Sequence, residues 1–258
     1  MKTIFLTSSL ENNIKTENGR VAKKCDNSNF FMDELRMCKP KIKNFVFFTS
    51  SPSEYEINDS YAHITVQAFN MDGLGIENLT IVDYRFKGNL EEVVMSADAI
   101  YLAGGHVPTQ NAFFKEIGLK EILKKYDGVV IGQSAGSMNC ASIVYAPPES
   151  PEDLQPTYKR ELSGLGLTNI RIMPHMGISF DDNIDGNGKS TYDYCVEDSY
   201  KYPVYGIYDT GFIKIENGTA TAYGKTLLIR NGECTVLCGN KHQVEVNGNY
   251  NHNTNLKV

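Results

Sequence analysis

Residues 128–139 read GVVIGQSAGSMN, and within them Gly132, Gln133, Ser134, Ala135 and Gly136 fit the pattern G-x-S-x-G. The bare pattern is a weak signal, but an apolar run precedes it here and a helix-compatible stretch, Ser137 to Val144, follows. A serine at such a strand-to-helix corner is forced into strained backbone angles, so its flanks must be small. Gly132, Ala135 and Gly136 supply that room. The hydroxyl is then presented beside the free N–H groups of a helix start, which can hold a developing oxyanion. That is the setting of a nucleophile. The plainer alternative is a helix cap, a common place for serine.

A serine hydroxyl needs a base to take its proton and an acid to orient that base. Of the five histidines, His252 falls in a polar tail, His242 in a late turn and His63 inside an amphipathic stretch. His175 ends the run IRIMPH, at the carboxyl end of a predicted strand and on the side where Ser134 should open. It is the expected base. His106 competes, because it follows YLAGG at another strand end. The glycines before it suit a different task, offering a bare backbone N–H as the second oxyanion donor. For the acid, chemistry alone leaves Glu149, Asp181, Asp182, Asp185 and Asp209 open. Asp209 ends VYGIYD, again at a strand terminus, and needs no loop to fold back.

These groups must be held by elements that bring strand ends together. Predicted strands cover Thr3–Ser8, Asn44–Thr49, Leu79–Tyr84, Ala99–Leu102, Gly128–Ile131, Ile170–Met173 and Val204–Tyr208. Helical patterns cover Asn29–Met37, Glu54–Met71, Leu90–Ser96 and Thr109–Tyr126. Their alternation predicts an α/β fold with a mostly parallel sheet flanked by helices, whose active residues gather at the carboxyl ends of the strands. After Tyr208 the pattern becomes β-rich, with Asn-Gly at 217–218 and 231–232, so antiparallel hairpins close the chain. Residues 10–28 read as a surface loop, and the tail from Asn247 as frayed. No internal repeat or linker divides the 258 residues, so a single domain is expected.

Composition narrows the function. Apolar residues make up 41% of the chain and charged residues 22%, ordinary for a globular protein with a sizeable core. The net charge is −6 and the longest basic cluster is Lys23-Lys24, which argues against a nucleic-acid partner. No apolar run is long enough for a membrane span or a signal peptide, and a cytoplasmic protein is expected. Six cysteines without a secretory signal read as reduced thiols, and Cys234 and Cys238 lack the further ligands of a zinc site.

Taken in order, YLAGGHVPTQN, GQSAGSMN, IMPH and GIYDTGFIKIENG resemble the peptidase E (aspartyl dipeptidase) family of serine peptidases, a group that includes cyanophycinase. The resemblance runs from the first strand to about Gly224 and implies a glutamine amidotransferase-like fold. It implies Ser134 as nucleophile, His175 as base and Asp209 as third triad member, where the dipeptidase has a glutamate. It also implies the N–H groups of Gly105 and Ala135 as oxyanion donors, with no metal or organic cofactor. The order Ser, His, acid differs from the Ser, acid, His of α/β-hydrolases. Two departures bear on substrate. His106 stands where the dipeptidase's glycine loop has an asparagine, so it is expected to face the substrate. Residues 176–203 contain no arginine to read an aspartate side chain, so a preference for N-terminal aspartate is not implied.

Asp181, Asn183, Asp185 and Gly186 match the start of a calcium loop, but its twelfth position is Tyr192 where a bidentate glutamate belongs. The stretch reads instead as an acidic loop beside the site, with Asp181 and Asp182 placed to attract the α-amino group of a peptide. The expected activity is hydrolysis of dipeptides or short peptides. The rivals are a catalytically silent small-ligand-binding domain and a subunit docked on a larger enzyme, as amidotransferase-like domains can be.

Overall fold

The computed structural model describes residues 2–17, 19–177 and 184–246. In chain order the first half holds β1 (Thr3–Thr7), β2 (Asn13–Thr16), β3 (Gly19–Ala22), α1 (Phe31–Cys38), β4 (Asn44–Phe48), α2 (Tyr55–Met71), β5 (Asn78–Val82), α3 (Leu90–Ser96) and β6 (Ala99–Leu102). Next come α4 (Val107–Glu116), α5 (Leu119–Lys125), β7 (Val129–Gln133), α6 (Ala135–Asn139), β8 (Ile143–Tyr145), β9 (Glu161–Ser163), β10 (Ile172–Met173) and α7 (Thr191–Asp198). The last are β11 (Val204–Ile207), β12 (Phe212–Glu216), β13 (Thr219–Tyr223), β14 (Thr226–Arg230), β15 (Glu233–Cys238) and β16 (Gln243–Val246).

The main sheet has the order β16-β13-β12-β1-β7-β6-β4-β5. Its strands from β1 to β5 run parallel, and β12, β13 and β16 extend it antiparallel. The parallel strands read as unbroken apolar runs because both faces are covered. Side chains alternate between those faces: Ile4, Leu6, Val46, Phe48, Ile100, Leu102 and Val130 enter one core. Phe5, Phe45, Phe47, Tyr101, Val129 and Ile131 enter the other, with Phe31 and Phe69. Each fully buried aromatic there contributes about 1.5–3 kcal/mol. Chain order reverses between β4 and β6, since β5 lies on one side of β4 and β6 on the other. A crevice opens outside the strand ends at such a reversal.

A second sheet, β10-β11-β14-β15, corrects one expectation. The strands before His175 and Asp209 belong to it rather than to the main sheet. Met173, Met176, Cys195, Tyr202, Val204, Leu227 and Ile229 form a core of their own, while Ile172, Tyr205 and Ile207 of β10 and β11 join the main-sheet core. The closing hairpins are therefore shared out, β12–β13 in the main sheet and β14–β15 in the second. Asn217-Gly218 and Asn231-Gly232 make the two turns, all four residues at positive φ as a two-residue hairpin with the strand twist requires.

Other differences have local causes. The helix expected over Thr109–Tyr126 is two, parted at Gly118 in the left-handed region at φ 65°. The helix after the G-x-S-x-G motif starts earlier, at Ala135, and ends at Asn139, before the short strand β8. Residues 10–28 contain the hairpin β2–β3 rather than only a loop. Thr191–Asp198 form a helix opened by a capping box of Ser190 and Asp193. Asp181, Asp182 and the tail from Asn247 lie outside the described residues. Among the described residues no helix is long and apolar enough to cross a membrane.

Candidate active site

Ser134 follows β7 directly and sits at φ 49°, ψ −114°, the strained corner that its neighbours suggested. The corner is stitched to β1. The Ser134 N–H donates to Thr7 O at 3.0 Å, Ser137 Oγ donates to the same carbonyl at 2.8 Å, and Thr7 Oγ1 donates to Gly132 O at 2.7 Å. Both motif glycines are required by space. A Cβ on Gly132 would lie 2.7 Å from the Ser137 backbone, and one on Gly136 only 2.0 Å from Leu102 O.

His175 comes from the end of β10, itself in the left-handed region at φ 58°. Its position is held from beneath by the Met176 N–H, which donates to Ile207 O at 3.1 Å, and by Met176 packed against bare Gly206. Asp209 stands in the tight turn after β11, closed by Gly211 N–H to Tyr208 O at 2.9 Å. Three elements thus meet. His175 Nε2 is 2.9 Å from Ser134 Oγ, and His175 Nδ1 is 2.8 Å from Asp209 Oδ1.

Ser8 adds a residue that sequence reasoning had assigned only to a strand end. Its buried hydroxyl donates to Asp209 Oδ1 at 2.7 Å and accepts from the His175 backbone N–H at 2.7 Å. Burial works to raise the Asp209 carboxyl, but the hydrogen bonds from His175 and Ser8 outweigh it and hold the group below its ordinary value. A hydroxyl, an imidazole and an ionised carboxylate in this sequence of contacts can move a proton off the hydroxyl and stabilise the resulting imidazolium.

The loop after β6 passes close by. A Cβ on Gly104 would meet Ser134 Cβ at 3.4 Å, while Gly105 has φ 147° and no room for a side chain, since a Cβ there would fall 2.2 Å from Ser50 Oγ. Ala135 opens α6, where the first N–H groups have no acceptor within the helix. A cleft of about 480 Å³ lies at the reversal between β4 and β6. Ser134, His175, Gly104, Gly105 and Gln133 line it, with Phe47, Ile57, Tyr61 and Tyr101 as its apolar wall. Burial pushes the Tyr101 hydroxyl up, so it stays protonated and donates to Gln133 Oε1.

The family model for peptidase family S51 matches residues 18–223. The chain belongs to peptidase family S51. It is therefore a serine peptidase. No curated protein matches the sequence. Among solved structures, a peptidase from an acI-B1 Actinobacterium superposes with a TM-score of 0.61 at 17% identity, covering 95% of this chain and 97% of that one. A protein described as peptidase E, from Listeria monocytogenes EGD-e, gives 0.55 at 18% identity, covering 85% and 96%. At such identities the likeness is one of fold.

The remaining predicted residues of this S51 chain are placed less tightly. His106 is exposed at the start of α4, its Nδ1 2.7 Å from Thr109 Oγ1, and it is not part of the cleft wall described above. Glu149 lies within electrostatic reach of both His106 and His175, and desolvation pushes its carboxyl above the ordinary range. Asp185 is turned inward on its own loop, accepting from the backbone N–H groups of Asn187 and Lys189 at 2.8 and 3.1 Å.

Proposed function

We propose that this S51 peptidase hydrolyses dipeptides or other short peptides with Ser134 as nucleophile, His175 as base and Asp209 as the group that orients the imidazole. The observation that carries the reading is the continuous chain from Ser134 Oγ through both nitrogens of His175 to Asp209, with contacts of 2.9 and 2.8 Å. Ser134 Oγ attacks the scissile carbonyl carbon while its proton passes to Nε2. Asp209 accepts the Nδ1–H and stays ionised throughout. The N–H groups of Gly105 and Ala135 receive the oxyanion. As the C–N bond breaks, Nε2 returns the proton to the departing amine, leaving an acyl group on Ser134. Water, deprotonated by the same nitrogen, then releases the acid and restores the hydroxyl.

The cleft volume supports small substrates. Incubation with a mixed dipeptide library containing α-aspartyl, β-aspartyl and neutral N-terminal residues, followed by mass spectrometry, tests the reading. Cleavage by the wild type that disappears in Ser134→Ala is the expected result. Cleavage that survives in the variant would overturn the nucleophile assignment. Binding without turnover in both proteins would favour a catalytically silent domain.

A further inference from the structure

The hairpin β2–β3 forms part of the cleft wall and brings an arginine to it. The carboxylate and guanidinium side chains lining the cleft are those of Glu11 and Arg20. Glu11 is already engaged, accepting from Ser9 Oγ at 3.3 Å and lying 3.8 Å from Lys23 Nζ. Arg20 is exposed, and among the described residues no carboxylate pairs with it. Its direction is nevertheless set. Asn12, buried, accepts from Asn13 Nδ2 at 2.9 Å, which leaves Asn13 Oδ1 to accept from Arg20 Nη1 at 2.7 Å. The guanidinium carbon also stands 5.9 Å from the centre of the Tyr61 ring, another part of the cleft wall.

The hairpin that carries these groups is fixed at its base. Lys23 N–H donates to Asn12 O and Asp26 N–H to Leu10 O, both at 2.9 Å, and Leu10 is buried. One N–H of the guanidinium is thus used for anchoring, and the rest of its donor fork is left for a ligand. A planar fork held in this way matches a carboxylate, which it can bind through two parallel hydrogen bonds. The chain as a whole carries a net charge of −6, so a carboxylate entering the cleft meets an unfavourable field unless a local cation offsets it.

We propose that Arg20 reads a carboxylate of the substrate, either an acidic side chain or the free C-terminus, and so sets specificity in this cleft. The inference rests on the peptidase reading for the bond that is cleaved, but not for the contact itself. The contact is tested in Ser134→Ala protein by calorimetry with four peptides: Asp-Leu, Asn-Leu and the C-terminal amide of each. With Arg20 present, neutralising one of the two carboxylates should weaken binding at least about tenfold, the scale of a lost charge-assisted pair. Arg20→Gln should abolish that difference, and Arg20→Lys should restore part of it. Loss on the Asn-Leu arm identifies the side chain as the group read; loss on the amide arm identifies the C-terminus. The proposal is overturned if neither change matters, if every change that matters does so equally after Arg20→Gln, or if no peptide binds. Labelling of Ser134 by a fluorophosphonate, in the wild type and in Arg20→Gln, separates the two claims. Absence of labelling in both would sink the nucleophile and leave the carboxylate result standing.

Discussion

Two side chains support the imidazole from opposite directions in the sequence. Asp209 fixes the ring through Nδ1, and Ser8 fixes both Asp209 and the His175 backbone. Steady-state kinetics on Asp209→Asn should show kcat lower by about 10⁴, because an amide favours the wrong tautomer. Ser8→Ala removes one bond to a charged group and should lower kcat about tenfold with KM nearly unchanged. A KM effect as large as the kcat effect would assign Ser8 to substrate binding instead. The lowered Asp209 value also has a stability consequence. Its contribution is fully present above the unfolded carboxylate value, about 3.9, and is lost as pH falls through the lower folded one. Between pH 6 and acid conditions, the melting temperature of the wild type should therefore fall further than that of Asp209→Asn, which has no carboxylate to protonate there.

At the scale of elements, the corner works because a short helix lies almost against the neighbouring strand. Gly136 approaches Leu102 O so closely that any side chain must push α6 away from β6. Gly136→Ala should cost at least about 2 kcal/mol in urea unfolding and move Ser134 away from His175. An unchanged unfolding midpoint would show that the helix can shift freely. G-x-S-x-G was legible in the sequence because the same glycines are required wherever a chain turns this sharply. The hairpin β2–β3 is faint in the sequence, although Asn18-Gly19 beside β-compatible runs is a hairpin signal. Its polar, exposed residues give no alternation to read, since the hairpin buries only its base. Without the hairpin, nothing in the sequence brings Arg20 to the cleft. Likewise Ser190 and Asp193 carry the signature of a helix start, masked by the calcium-loop pattern that precedes them.

Across the whole molecule, strain at Ser134 is sustained by packing elsewhere. A serine at φ 49°, ψ −114° costs about 1–3 kcal/mol, and glycine there avoids most of that at about 0.5–1 kcal/mol of chain entropy. Ser134→Gly should thus be inactive yet more stable than wild type by about 1 kcal/mol, read as a higher urea midpoint at constant slope. A lower midpoint would mean that the serine side chain itself supports the fold. The corner belongs to the main sheet, while His175 and Asp209 belong to the second sheet. Their alignment therefore depends on how the two sheets pack, through a core that Ile172, Tyr205 and Ile207 share with the main sheet, and Ser8, after β1, hydrogen-bonds across to both His175 and Asp209.

Local sequence determined the parts that local physics controls. Apolar runs marked the buried strands, glycines marked the corner, Asn-Gly pairs marked the closing turns, and a polar residue at a strand end marked each candidate group. Tertiary structure decided what those parts meet. Only the sheet order placed β10 and β11 in a second sheet, and only the packing of that sheet brings Asp209 within 2.8 Å of His175 Nδ1. Ser8 and Asp209 lie 201 residues apart, and no spacing rule links them. Such contacts are selected by the burial and closure of the whole chain, a long-range property that short sequence patterns do not carry.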